Sequence, residues 1–134
     1  MNAYNVYRQT QTQTAAPGEL VLMLYRGALR FLSSANEAIG KNDVLTAHTS
    51  LLKAQAVITE LRDTLDFERG GDFARNLESI YVYMHRRLVE ANVRKDVRPV
   101  HEVFDLLREL LSAWEVAVRQ TSAAAPAELV GASR

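Results

Sequence analysis

The sequence predicts an all-α fold, an antiparallel up-down four-helix bundle, and three observations carry that prediction. Apolar residues recur at steps of three and four in four successive stretches. These stretches are of similar length and are joined by short connections, which forces antiparallel neighbours. No stretch alternates with the period of two that a half-buried strand requires.

The first helix is expected over residues 17–39. Pro17 suits an opening turn, where its missing N–H costs nothing, and Gly40 suits a left-handed residue that ends a helix. Leu20, Leu24, Ala28 or Gly27, Phe31, Ala35 and Ala38 or Ile39 form its core seam, while Leu22, Tyr25, Leu29 and Leu32 make a second apolar stripe beside it. A second helix, 43–66, follows Asn42 or Asp43 as N-cap, with Ala47, Leu51, Ala54, Ile58, Leu61 and Leu65 facing inward. The glycine pair Gly70-Gly71 is read as the break before a third helix, 71–93, which carries Phe73, Leu77, Ile80, Tyr81, Met84, Leu88 and Ala91. Asp96 and Pro99 restart the chain for a fourth helix, 97–120, with Val100, Val103, Leu107, Leu110, Trp114 and Ala117 inward. Residues 1–16 are expected to be a flexible N-terminal arm. Residues 121–134, rich in Ala and Ser, are expected to be a disordered tail that cannot bury enough apolar surface to offset its ordering. No internal sequence repeat is read.

Composition narrows the function. The 134 residues hold 16 basic and 16 acidic side chains, so no net field draws the chain to nucleic acid or anionic membrane. There is no cysteine, which removes disulfides and thiolate metal sites and fits a cytosolic protein. The first residues lack the basic and apolar regions of a signal peptide, and no run is apolar for long enough to span a bilayer.

Catalytic chemistry has no visible residues. A bundle metal site commonly uses Glu-x-x-His, because residues three apart share a face, yet Leu45, Val82 and Arg98 precede His48, His85 and His101 at that offset. Gly70-Gly71 lacks the strand and the Lys-Ser/Thr of a phosphate loop. No cofactor, metal or catalytic residue is therefore expected. The basic cluster Arg86, Arg87, Arg94, Lys95 and Arg98 reads as a solvated helix end favoured by the macrodipole.

Apolar surplus is the informative signal. Leu22, Tyr25, Leu29, Phe67, Tyr83, Phe104, Leu106 and Leu111 lie on or near second faces, beyond what four core seams require. Tyr4 and Tyr7 punctuate an otherwise polar N-terminal stretch, and two aromatics three apart could cover an apolar groove or grip what fills it. The residues expected to contact a partner are Tyr4, Tyr7, Leu22, Tyr25, Leu29 and Tyr83.

These residues also carry a resemblance. Tyr7 upstream of Thr14-Ala15-Ala16-Pro17, then Leu22-Met23-Leu24-Tyr25-Arg26-Gly27-Ala28 with Phe31-Leu32, open the pattern. Lys53-Ala54-Gln55, Glu60-Leu61, Thr64-Leu65-Asp66, Gly70-Gly71, Tyr81-Val82-Tyr83-Met84, Leu88, Ala91-Asn92, Asp96 and Trp114 follow in order. From residue 4 to residue 120 the chain resembles the FliS family of flagellar secretion chaperones. The resemblance implies a cytosolic helical bundle that binds the C-terminal region of flagellin, prevents its premature polymerisation and aids delivery to the flagellar type III export apparatus. The sequence departs from the family at Ala16, where serine is common, and at Arg26, where an acid is common. The alternative is a self-associating scaffold or adaptor bundle, a homodimer through its second apolar faces, with no secreted client.

Overall fold

The computed structural model describes residues 17–121 as four α-helices: α1 Pro17–Gly40, α2 Val44–Asp63, α3 Phe67–Arg94 and α4 Val97–Thr121. The expected arm and tail lie outside the described residues. Each helix packs on its neighbours in sequence, and α1 closes the ring against α4. Side-chain pairs cross the seams and give the direction of two of them. Ser50 donates to Ser34 across α1 and α2 at 3.0 Å. Asn92 Nδ2 donates to His48 Nδ1 at 3.0 Å, and Arg62 pairs with Glu78 at 3.1 Å, so α2 and α3 run antiparallel. Arg26 pairs with Glu115 at 2.9 Å and His101 Nε2 donates to Asn36 Oδ1 at 2.7 Å, which sets α1 antiparallel to α4.

The helices start and stop for local reasons. Asp43 caps α2 by accepting the Thr46 backbone N–H at 3.1 Å. Asp66 Oδ1 accepts both Glu68 and Arg69 backbone N–H groups at 3.1 Å, opening α3. Asp96 Oδ1 accepts the Arg98 backbone N–H at 3.0 Å where α4 begins. At the far end of α3, Lys95 takes the left-handed conformation, φ 52°, and its N–H returns to the Ala91 carbonyl.

Three sequence expectations are corrected at these junctions. Gly40 is an ordinary last helical residue, and the left-handed position after α1 is Asn42, φ 58°, whose short polar side chain tolerates it. The second helix ends at Asp63 rather than 66, because the Thr64 hydroxyl bonds the Leu61 carbonyl at 2.6 Å and the chain turns. The third helix starts at Phe67, four residues early. That early start is one capped turn the sequence did not indicate; the break itself, at Gly71 with φ 54° and ψ −130°, falls where the glycine pair placed it and joins the turn to the long helix across a kink.

Seam composition sets the spacing of the helices. Where α1 meets α2, buried Ala28, Ala35 and Ala38 lie on one helix and Ala47 and Ala54 on the other. Small side chains let axes approach, and this pair makes the most extensive contact in the bundle. On the other side α3 buries Leu77, Met84 and Leu88 and α4 buries Leu107 and Trp114, and the α3–α4 contact is the least extensive of the four helix pairs, the loosest seam of the bundle.

Candidate partner-binding groove

The loose seam opens at one end into an apolar concavity of about 120 Å³. Its walls are Phe73 and Leu77 of α3 with Leu110, Ala113, Trp114 and Ala117 of α4. Ala113 and Ala117 are one turn apart on one face, so their short side chains leave a hollow facing Phe73. Phe73 sits two residues beyond the Gly71 kink and is 60% exposed, a large exposure for an aromatic ring. The lining offers almost no polar atom, so what fits here is an apolar group.

The groove wall is anchored from within. Trp114, 7% exposed, donates its indole N–H to the Tyr25 hydroxyl at 3.2 Å, and that hydroxyl lies 2.7 Å from the Tyr81 hydroxyl. The two tyrosine rings meet edge to face at 6.5 Å between centroids. One chain of hydrogen bonds thus joins α1, α3 and α4 in the middle of the core. Burial pushes the Tyr25 hydroxyl up to about 12, opposed by its hydrogen bonds with Tyr81 and Trp114. Burial pushes Tyr81 up as well, and its bond to Tyr25 adds to the shift. Both tyrosines stay neutral at physiological pH.

The sequence-predicted contact residues separate into three groups. Leu22 and Tyr25 are 4% and 0% exposed and belong to the core, which corrects the expectation that they lie on a stripe free for a partner. The physical reason is that α1 has neighbours on two sides, α2 and α4, so its buried arc spans both apolar stripes. Leu29 is half-buried and packs on the core from its rim, as do Leu20, Phe104, Leu106 and Leu111. Tyr83 is 36% exposed on α3, away from the groove. Its hydroxyl donates to Glu102 at 2.5 Å, which raises the tyrosine's pKa and lowers the carboxylate's. Tyr4 and Tyr7 lie outside the described residues, as does the capping position at Ala16.

Two charge features are also resolved. Within the basic cluster, Arg87 and Arg98 pair with carboxylates, while Lys95 and Arg86 have uncharged partners. Arg87 pairs with Glu102 and Glu90 at 2.7 Å, Arg98 pairs with Asp96 at 2.8 Å, Lys95 Nζ bonds the Asn92 carbonyl at 2.6 Å, and Arg86 stacks over Tyr83. Arg26 bonds Glu115 across the α1–α4 seam, giving the basic residue at this position a structural partner. Among the described residues, no three His, Asp or Glu side chains gather as a metal site would need. No described helix is long and apolar enough to cross a membrane.

Sequence reasoning therefore had the groove and the core partly exchanged. Phe73, Leu110 and Ala117 were expected inward, yet they form the concavity. The legible signal was the pair of alanines at 113 and 117 beside the glycine break at 71, small residues where a packed seam wants volume.

Comparison with known proteins agrees with the architecture. The family model described as flagellar protein FliS matches residues 1–121. The chain is 39% identical over 118 residues to the flagellar secretion chaperone FliS of Bacillus subtilis, covering 88% of this chain and 87% of that protein. It is 38% identical over 119 residues to flagellar secretion chaperone FliSB of Pseudomonas aeruginosa, covering 86% of this chain and 94% of the relative. With the flagellar secretion chaperone FliS of Salmonella typhimurium it shares 37% identity over 108 residues, 80% of each chain. A family match over nearly the whole length, on an all-helical antiparallel bundle with these motifs in order, leaves one assignment: the chain belongs to the FliS family of flagellar secretion chaperones.

Proposed function

We propose that this protein is a cytosolic export chaperone that binds the C-terminal region of flagellin, keeps it from polymerising early and hands it to the flagellar type III export apparatus. The observation that carries the proposal is the α3–α4 groove, an apolar concavity flanked by an exposed aromatic ring in a chain whose relatives are flagellar secretion chaperones. A client helix laid along it would bury Phe73 and the alanine floor, and ordering of the client would offset much of the contact energy. Weak net affinity suits a chaperone that must release its cargo. Tyr4 and Tyr7 are proposed to line the approach to the client, with Leu29 and Tyr83 as further contacts outside the groove. Leu22 and Tyr25 support the site from inside the core.

Titration calorimetry of the purified protein against a flagellin C-terminal peptide tests this reading. Heat saturating at one peptide per chain, with a dissociation constant on the order of micromolar, is the expected result. Absence of heat with both components at tens of micromolar or more would overturn it.

A further inference from the structure

The chain contains a short internal repeat that the reading by helices passes over. Ala16-Pro17-Gly18-Glu19-Leu20-Val21 recurs as Ala125-Pro126-Ala127-Glu128-Leu129-Val130, differing only where Gly18 becomes Ala127. The first copy opens α1 at Pro17, with Val21 1% exposed and Leu20 packed on the core. The second copy replaces the glycine by the best helix former and is followed by Gly131, a stop residue. It therefore carries the same start signal and the same two branched apolar residues, with no core seam assigned to them.

Its place in the fold gives it a destination. The Arg26–Glu115 and Asn36–His101 pairs set α4 antiparallel to α1, so α4 ends at the end of the bundle where α1 begins. The groove residues Ala113, Trp114 and Ala117 lie on the last turns of α4, with Ala117 about one turn, roughly 6 Å, before Thr121. Seven residues separate Thr121 from Leu129, and the eight steps between them span at most about 29 Å when extended. A chain leaving α4 can reverse and return along the groove with length to spare.

We propose that residues 125–130 are a tethered occupant of the α3–α4 groove, seating Leu129 and Val130 against Phe73 and the Ala113–Ala117 floor with Glu128 toward solvent. Resting on the reading of this groove as the client site, the segment is a built-in competitor: the client displaces it. A tether this short supplies an effective concentration on the order of millimolar, so even a weak contact keeps the groove filled much of the time. Occupancy near four-fifths lowers apparent client affinity about fivefold.

The test uses the full chain and a Leu129→Asp, Val130→Asp double variant, whose changes lie outside the bundle. Trp114, the single tryptophan, lines the groove and reports on it without any client. Acrylamide quenching of Trp114 is expected to rise in the double variant, with helicity by circular dichroism unchanged. Calorimetry with a flagellin C-terminal peptide is expected to show about fivefold tighter binding to the variant. Identical quenching in both proteins overturns the proposal, whether or not the peptide binds. Raised quenching with no peptide heat in either protein upholds the seat and removes the client reading instead. Protection of Trp114 that grows with protein concentration, with doubled mass in light scattering, assigns the segment to a second copy and overturns the intramolecular seat.

Discussion

The hydroxyl oxygens of Tyr25 and Tyr81 lie 2.7 Å apart at the centre of the bundle, joining diagonally opposed helices α1 and α3. Tyr25 also accepts the Trp114 indole N–H, so it is the shared member of two buried bonds. Replacing Tyr25 by Phe leaves two polar groups without it, and replacing Tyr81 by Phe leaves one. Tyr25→Phe should cost about 1–3 kcal/mol of unfolding free energy and Tyr81→Phe less, measured by urea titration. Equal losses would mean that Tyr25 does not hold the Trp114 bond.

Alkaline pH should destabilise the fold through the same pair. Tyr25 titrates at about 12 in the folded protein against an ordinary 10.0, and Tyr81 is raised too. Above pH 10 the unfolded chain releases phenolic protons that the folded chain retains, so stability is complete below that pH and falls as pH rises toward 12. Each tyrosine adds a slope of up to about 1.4 kcal/mol per pH unit in that window. Urea midpoints across this range should fall less steeply in Tyr25→Phe than in the parent.

Client binding and folding should separate at Phe73 and Leu22. Phe73 is exposed on the groove rim, so Phe73→Asp should leave thermal stability nearly intact while weakening peptide binding at least tenfold by calorimetry. Leu22 is buried, so Leu22→Ala should cost about 2–5 kcal/mol. Leu22→Ala that folds normally and binds no peptide would reverse the assignment of core and groove.

Two glycines should respond with opposite sign. At Gly40 an added methyl meets nothing within 4 Å and the backbone is helical, so Gly40→Ala should stabilise by about 0.4–1 kcal/mol. At Gly71 the space is equally open, but φ 54° with ψ −130° is hostile to any side chain. Gly71→Ala should destabilise by about 1 kcal/mol or more through the backbone alone. Differential scanning calorimetry of the two variants reads both signs.

Helical spacing made most of the α2 core legible. Ala47, Leu51, Ala54, Ile58 and Leu61 are buried as their four-and-three steps require, whereas Leu65 lies past the helix end and only half-buried, and Ser50 and Val57, which that row passes over, are buried too. It failed on α1 for a geometric reason. A helix with neighbours on two flanks buries more than one stripe, and periodicity measures direction around the helix without measuring how wide the buried arc is. Leu22 and Tyr25 went inside for that reason, while Leu20 stayed half-exposed near the open end. Phe73 failed for the opposite reason. Its spacing from Leu77 points it along the core seam, but the Gly71 kink and the small residues at 113 and 117 leave it mostly exposed. Pairwise relations such as the Tyr25–Tyr81 contact lie outside any single-helix pattern, since they depend on how two distant helices are set in register.

The kink at Gly71 also governs which changes of length this protein can absorb. One residue inserted into a continuous helix turns everything beyond it by about 100°. An insertion between Leu77 and Leu88 would therefore swing the buried row Leu77, Tyr81, Met84 and Leu88 out of register with α4. An insertion between Thr64 and Gly70 falls upstream of a point where the helical path is already interrupted, so the rotation stops at Gly71. The short capped turn at 67–70 thus works as a mechanical fuse, and length variation at the α2–α3 junction can accumulate there without reaching the residues that set the groove.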